Sequence, residues 1–462
     1  MVFVPSSFRE YDIRGVADRD LDDATVTAIG VAFARRAYVH GNTVVVARDC
    51  RLHSERLFEA LVHGLRSVCH VVDIGVGPTP LLYFADKHLH PAGAIMITGS
   101  HNPAPDNGFK LLLNGSSFFG ASITELRDEV AAHLLDAPDE LPVVGTLTQC
   151  DVRDEYLDAA CNSIVLGPRR MKVVVDAGNG AGGPLALALY QRLGFDVVPL
   201  YCDMDGRFPN HHPDPTVAAN LQDLIATVAR ESAELGIALD GDADRIGAVD
   251  ASGRILWGDQ LMILFGKAIL HEHPGAHFVG EVKCSQSMYD ELTRAGGHAE
   301  MWKVGHSLIK TRMKETGALL AGEMSGHMFF AHRWFGFDDG MYAGGRLLEL
   351  LSRSDATLRE LADQLPTMAA TPELRIECPD ASKFAVVAAV TAAMRARSDV
   401  RHIIDIDGVR AVWQHGWGLV RASNTQPALV MRCEADDAET LTHITELLRT
   451  AIAHARHTME EV

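Results

Sequence analysis

The sequence predicts an α/β chain in which three similar α/β units are followed by an α+β tail. Three observations carry this. A strand, a helix and a second strand succeed one another over residues 43–74, and the order returns over residues 171–200. In three places a glycine opens a short apolar strand that ends in a small polar loop. Toward the C-terminus the order changes to several strands and one closing helix, with no further strand–helix–strand array.

Each element follows from its residues. Residues 43–47 (TVVVA) form a β-branched apolar run and read as a strand. Residues 54–67 space Leu57, Leu61 and Leu65 four apart on one helical face. Residues 71–74 supply the second strand, and a βαβ unit implies a parallel sheet. Residues 138–148 contain Pro138, Pro142 and Gly145 without helical period and read as a linker. Residues 171–177 (MKVVVDA), 184–194 and 196–200 repeat the strand–helix–strand order. The glycine-led strands are 93–97, 236–239 and 317–321. They run into Thr98-Gly-Ser-His-Asn102, Asp240-Gly-Asp-Ala-Asp244 and Gly322-Glu-Met-Ser-Gly-His327. Ligands of open α/β sheets bind beyond the carboxyl ends of strands, so three such loops suit one shared cleft. In the tail, residues 373–378, 408–412, 418–420 and 428–433 read as strands and 438–454 as a helix.

Composition narrows the function. The 462 residues hold 42 Lys plus Arg against 61 Asp plus Glu, a formal net charge of −19. That excess argues against nucleic acid or an anionic membrane as the main partner, since both need a positive face. A hydrophobic fraction of 47% excludes disorder. Length alone suggests about three domains. The eight cysteines are scattered without a C-x-x-C pair, which argues against a zinc ribbon and for a reducing cytosol. The first residues lack the basic and apolar regions of a secretory leader, and no run of 18 apolar residues occurs. A cytoplasmic protein is expected.

The loops carry the chemistry. Asp240, Asp242 and Asp244 alternate, so an extended or turning backbone points them to one side. Three carboxylates so close do not all stay ionised without a cation, and carboxylate oxygens suit Mg²⁺ or Ca²⁺. A calcium loop of the EF-hand type needs Gly at its position 6 and Glu at 12; here Arg245 and Ala251 stand there. Ser100 follows Gly99 at a strand end, where a hydroxyl can act as a nucleophile or carry a phosphoryl group. Thr98 and Asn102 do not match the G-x-S-x-G elbow of serine hydrolases. Lys110 is placed to assist with charge or proton transfer. Glu323 and Ser325 suit the vicinal hydroxyls of a sugar. Arg421, Ser423, Asn424 and Thr425 offer a guanidinium, hydroxyls and an amide for a phosphate.

Two features point elsewhere. Gly178-Asn-Gly180-Ala-Gly-Gly183 follows a strand, opens a helix and precedes Asp203 by about twenty residues, the arrangement of a dinucleotide fingerprint. An NAD-dependent dehydrogenase is therefore the runner-up, although it leaves the aspartates, Ser100 and the tail loop without a role. The pair His211 and His212 beside Asp214 invites a metal reading, but Pro213 and Pro215 mark a stiff loop.

Taken together the motifs resemble the α-D-phosphohexomutases. The resemblance rests on Tyr11-Asp-Ile-Arg-Gly15, Thr98-Gly-Ser-His-Asn-Pro103, Asp240-Gly-Asp-Ala-Asp-Arg245, Lys303-Val-Gly-His306, Gly322-Glu-Met-Ser-Gly-His327 and Arg421-Ala-Ser-Asn-Thr425, in this order along nearly the whole chain. It implies three α/β domains with mixed sheets and a C-terminal α+β domain around a central cleft, bounded at 1–146, 147–253, 254–366 and 367–462. It implies phosphoryl transfer between hexose 6- and 1-phosphates of mannose and glucose through a hexose 1,6-bisphosphate, with glucosamine phosphate the alternative sugar. Ser100 is then the phosphoserine, and Asp240, Asp242 and Asp244 bind Mg²⁺ with one of its oxygens. Arg14, Lys110, Arg245 and His306 line the reacting centre. Glu323, Ser325 and His327 meet the sugar. Arg421, Ser423, Asn424 and Thr425 grip the second phosphate, with Tyr11 and Lys283 as further contacts. A monomer acting on small phosphosugars is expected.

Overall fold

The computed structural model describes residues 3–136 and 141–460. Its first sheet has the strand order Ile13–Val16, Asp106–Leu113, Gly93–Ile97, Thr43–Arg48, His70–Val76, Leu147–Gln149. The TVVVA run lies inside it, paired in parallel on both sides. Its side chains alternate between two cores. Val44 and Val46 share one with Leu57 and Leu61 of the helix Ser54–Leu65, whereas Val45 and Ala47 share the other with Leu82 and Phe84 of the helix Thr79–Leu89. Two glycines let the helices Asp23–Tyr38 and Ser54–Leu65 touch. A Cβ on Gly30 would lie 2.4 Å from the Leu61 carbonyl oxygen, and one on Gly64 2.1 Å from that of Thr27.

The second sheet has the order Ile255–Leu256, Ile246–Asp250, Leu235–Leu239, Lys172–Asp176, Asp196–Leu200, and the third His298–Trp302, His277–Glu281, Leu320–Gly322, Met328–Phe330. All three sheets are mixed and share one device. A parallel strand ends, a polar loop follows, and the chain returns antiparallel beside it. This happens from Gly93–Ile97 to Asp106–Leu113, from Leu235–Leu239 to Ile246–Asp250, and from Leu320–Gly322 to Met328–Phe330. The three polar loops are these reversals.

Two sequence expectations change. Gly317 does not open a strand: at φ +68° it ends the helix His306–Thr316 in the left-handed conformation that favours glycine, and the strand starts at Leu320. The segment read as a linker is tied down. Val144 and Gly145 donate to the Arg66 carbonyl, and Leu147–Gln149 pairs with His70–Val76, so the first sheet extends past residue 146. Pro138 lies outside the described residues.

The fourth sheet is antiparallel throughout. Ala369–Ala370 and Leu374–Glu377 flank one side of Ala428–Ala435, followed by Gly416–Ala422, Val409–Val412 and His402–Ile404. The helices Lys383–Arg395 and Ala438–Glu460 cover it with a core of its own, including Val386, Val390, Leu429 and Leu448.

The first three units are fused by contrast. One core runs through Phe84, Tyr156, Tyr190, Trp334 and Tyr342, one or more from each unit. Phe84 of the first unit stacks on Trp334 of the third at 6.3 Å between ring centroids, and meets Tyr156 of the second edge-on at 5.6 Å. Such pairs add about 0.5–1.5 kcal/mol each beyond the area they bury. The tail is joined to the third unit by polar contacts around a small apolar cluster of Val282, Trp417 and Leu419. The buried Arg410 donates to the carbonyls of Val282 (2.7 Å) and Cys284 (2.9 Å) and lies 3.6 Å from the Trp417 ring centroid. Glu434 accepts from Ser285 Oγ at 2.9 Å and Trp417 Nε1 at 2.8 Å.

Candidate active site

The loop after Gly93–Ile97 presents Ser100, at φ +49°. Its amide donates to Thr98 Oγ1 at 2.8 Å, and its Oγ lies 3.0 Å from Asp240 Oδ2 and 3.1 Å from His101 Nδ1. Thus the reversals of the first two sheets meet hydroxyl to carboxylate. Gly241 permits the approach, since a Cβ there would stand 2.4 Å from the Ser100 carbonyl oxygen. A Gly241→Ala variant should therefore displace the serine loop. The expected result is destabilisation of about 1–3 kcal/mol with a matching loss of turnover, checked by thermal melting and assay.

Asp240, Asp242 and Asp244 are buried, and their oxygens lie within 4.8 Å of one another. Burial and the two neighbouring carboxylates push Asp240 well above the usual carboxylate range. Asp242 and Asp244 meet the same burial, but the Lys110 ammonium more than offsets it and holds both low. Lys110 Nζ donates to Asp242 Oδ2 at 2.7 Å and to Asp244 Oδ2. Thr79 Oγ1 also donates to Asp242 Oδ2, at 2.6 Å, while Asp242 Oδ1 is buried without any hydrogen-bond partner. An acceptor-only oxygen left unpaired inside a carboxylate triad fits a divalent cation, and the hard oxygen set suits Mg²⁺.

The third reversal abuts the second. His327 bridges Asp244 Oδ1 (3.1 Å from Nε2) and Glu323 Oε2 (beside Nδ1). Burial alone would lower its pKa; the two carboxylates raise it to about 9, so the ring is an imidazolium at neutral pH. Glu323 is held at about 2 against its burial, mainly by that imidazolium. Its Oε1 accepts from the Gly305 amide at 2.9 Å, and Ser325 Oγ donates to its Oε2 at 3.3 Å. Arg245 donates its amide to Asp240 Oδ1 at 3.1 Å, and the backbone at Arg245 bridges to His327. Arg14 is braced by Asp12 Oδ2 (2.7 Å) and reaches Asn102 Oδ1 at 3.0 Å. His306 has both ring nitrogens buried without a hydrogen bond; burial and the Lys310 and Lys110 charges keep it neutral.

The tail closes the other side. Tyr11 donates to the Val304 carbonyl at 2.8 Å and accepts from Asn424 Nδ2 at 2.6 Å, so one hydroxyl joins the first, third and fourth units. Arg421 is buried, held by Asp407 at 3.1 Å, with its Nε unpaired. Ser423 Oγ accepts from the amides of Gln426 (3.1 Å) and Thr425 (3.4 Å), which shapes the loop. Lys283 donates to Glu373 Oε2 at 3.0 Å, another bridge between third and fourth units. Most of the predicted residues form two groups. Ser100, the aspartates, Lys110, Arg245, His327, Glu323 and Ser325 are one bonded network; Tyr11, Arg421, Ser423, Asn424 and Thr425 gather on the tail side.

The glycine turn is filled by protein. Ala181 donates its amide to the Gly241 carbonyl at 2.9 Å, and a Cβ on Gly180 would come 2.7 Å from that oxygen. The turn supports the aspartate loop where a dehydrogenase needs it open to a pyrophosphate. His211 Nε2 lies 3.1 Å from both Asp176 oxygens and braces the same loop region.

Models of phosphoglucomutase/phosphomannomutase domains match in order: alpha/beta/alpha domain I over residues 5–135, domain II over 154–253, domain III over 257–368, and the C-terminal domain over 373–451. The chain belongs to the phosphoglucomutase/phosphomannomutase family. It is 44% identical to a phosphomannomutase/phosphoglucomutase of Pseudomonas aeruginosa over 97% of this chain and 95% of that protein. It is 44% identical to a phosphoglucomutase of Neisseria meningitidis over 96% of each. A crystal structure of a phosphoglucomutase/phosphomannomutase family protein from Burkholderia thailandensis superimposes with a TM-score of 0.89 at 41% identity, covering 98% of both chains. Within this family setting, several residues of the cleft escaped sequence reasoning. His101 touches Ser100 Oγ. Asp338 pairs with Lys310 at 2.9 Å and lies 3.6 Å from His306. Asp407 holds Arg421. Asp338 and Asp407 stand in no motif and are recognised only by what the fold packs against them; His101 stands in the Thr98–Pro103 motif, but its type and spacing alone gave its side chain no role. Among the described residues no helix is long and apolar enough to cross a membrane.

Proposed function

We propose that the protein interconverts hexose 6-phosphates and hexose 1-phosphates, of both mannose and glucose, through a phosphorylated Ser100 and a hexose 1,6-bisphosphate. The observation that carries this reading is the contact of Ser100 Oγ with Asp240 inside a buried carboxylate triad, beside the Glu323–His327 pair. Asp240, Asp242 and Asp244, with a phosphoserine oxygen, would hold Mg²⁺, which supplies neutralisation of the transferring phosphoryl group.

The chain's own residues do the rest. The free sugar hydroxyl forms a bond to phosphorus while the phosphorus–Oγ bond of Ser100 breaks. The hydroxyl proton passes to His306, whose ring nitrogens make no hydrogen bond and whose Nδ1 lies 3.6 Å from the Asp338 carboxylate. Lys110, held protonated by two carboxylates, offsets charge on the reacting oxygens, as do Arg14 and Arg245. The bisphosphate then turns round and its other phosphate returns to Ser100. Glu323 and Ser325 orient the sugar hydroxyls in both halves. Arg421, Ser423, Asn424 and Thr425 hold whichever phosphate is not reacting, with Tyr11 and Lys283 alongside. We propose that the protein acts as a monomer. The free thiols of its cysteines support a cytoplasmic setting.

Coupled assays with mannose 1-phosphate and glucose 1-phosphate on one preparation test the activity; turnover of neither sugar would overturn it. Arg421→Ala tests the role of the tail. It should raise KM for either sugar about 10–100-fold through the loss of charge-assisted phosphate bonds, with a smaller effect on kcat. A fall in kcat at unchanged KM would contradict the assignment.

A further inference from the structure

Beneath the Ser100 loop lies a side chain that no motif marked. Arg51 follows the strand Thr43–Arg48, and its side chain is wholly shielded from solvent. Its Nη1 donates to the carbonyls of Pro103 (2.7 Å) and Asp106 (2.9 Å), and its Nη2 to those of Ser100 (2.8 Å) and Asn102 (2.6 Å). Nε faces Asp49 Oδ2 at 3.3 Å. Asp49 in turn accepts from the amides of Gly99 (3.2 Å) and Arg51 (3.0 Å) and from Ser54 Oγ (2.7 Å). On the other side the guanidinium lies 5.1 Å from the ring centroid of Phe208, from the second unit. There is no slack in this packing: a Cβ on Gly99 would stand 2.5 Å from Arg51 Cζ, and one on Gly206 2.6 Å from Arg51 Cα.

We propose that Arg51 is the positioning residue of the phosphoserine loop. Four carbonyls within seven residues are turned onto one fixed, planar cation. Their negative ends are thereby directed away from Ser100 Oγ, where an anionic phosphoryl group must sit. The same bonds hold Ser100 in its left-handed backbone conformation, so that Oγ meets Asp240 and not solvent. The fork geometry is the point. Lysine keeps the charge but has three donors on one nitrogen, and does not reach four carbonyls spread across a plane. The proposal rests on Ser100 carrying the transferred phosphate.

The test compares wild type, Arg51→Lys and Asp49→Asn as full-length enzymes, with three readouts: kcat and KM for glucose 1-phosphate, the phosphorylated fraction of the Ser100 peptide by mass spectrometry, and its half-life after substrate removal. Arg51→Lys should lower kcat roughly 10²-fold, the order expected for a misplaced reacting group, while KM stays within about threefold. Phospho-Ser100 should be lost faster as its surroundings loosen. Asp49→Asn leaves the guanidinium in place but weakens its anchor, so it should show the same split in smaller degree. It also keeps the test open if Arg51→Lys does not fold. A folded Arg51→Lys enzyme with wild-type kcat and phosphoserine lifetime overturns the proposal, as does an Asp49→Asn enzyme affected only in melting temperature. A wild-type enzyme without phosphate on Ser100 would instead refute the functional reading beneath it.

Discussion

Ser100→Ala is expected to remove mutase turnover almost entirely, by about 10⁴–10⁶-fold, as deletion of a nucleophile does elsewhere. The protein should remain folded. Alanine deletes only the hydroxyl, so the loss is the contacts of Oγ with Asp240 and His101, about 1 kcal/mol. The backbone anchors do not involve that hydroxyl: the amide keeps Thr98, and the carbonyl keeps Arg51. The check is twofold. Peptide mass spectrometry should find one phosphate increment on the wild-type Ser100 peptide and none on the variant, and circular dichroism should superimpose the two proteins. A variant that turns over at a tenth of the wild-type rate would end the phosphoserine assignment.

Asp242→Asn should be nearly as severe for activity, for a different reason. Asp242 contributes the unpaired Oδ1 and accepts from Lys110 and Thr79 through Oδ2. Replacing it leaves the buried Lys110 ammonium one carboxylate short, so the variant should be less stable than wild type even without divalent cation, the direction implied by an Asp242 carboxyl held low in the folded protein. Turnover should fall about 10²–10³-fold, the loss typical when one electrostatic stabiliser is removed. The decisive readout is thermal: Mg²⁺ should raise the melting temperature of wild type by binding the native state, and the increment should shrink in Asp242→Asn. Equal increments in both proteins would place the cation elsewhere.

The sequence made the loops legible because they obey strong local rules. Alternating aspartates at the end of an apolar strand have few other reasons to exist, and a Gly-Ser at a strand end presents its hydroxyl whatever follows. The strand TVVVA was equally plain, being buried on both faces. What stayed hidden depends on packing between distant segments. Arg51 sits in a polar stretch with Asp49 and Arg48 and looks solvated until residues 99–106 fold over it. Asp338 is ordinary until Lys310 and His306 approach it. The edge strand Leu147–Gln149 was masked by Pro142 and Gly145, whose turn signal is real but local. Gly317 was misplaced because a glycine that ends a helix and one that opens a strand look alike when only a few residues separate the two elements.

The unequal joints of the molecule bear on how a bisphosphate can turn round without leaving. The first three units interlock through stacked rings, and parting them would expose large apolar faces with nothing in water to replace the contact. The tail is held by carbonyls, carboxylates and the Tyr11 hydroxyl, with one small apolar cluster about Trp417 and Leu419. Solvent can substitute for the polar partners, so the net loss on letting go of each such bond is about 1 kcal/mol. A joint with fewer apolar partners is the one that a swing of the tail would part, and such a swing would leave the wall that carries Ser100 and the aspartates unmoved. The chemistry and the reorientation are thereby assigned to different materials within one chain.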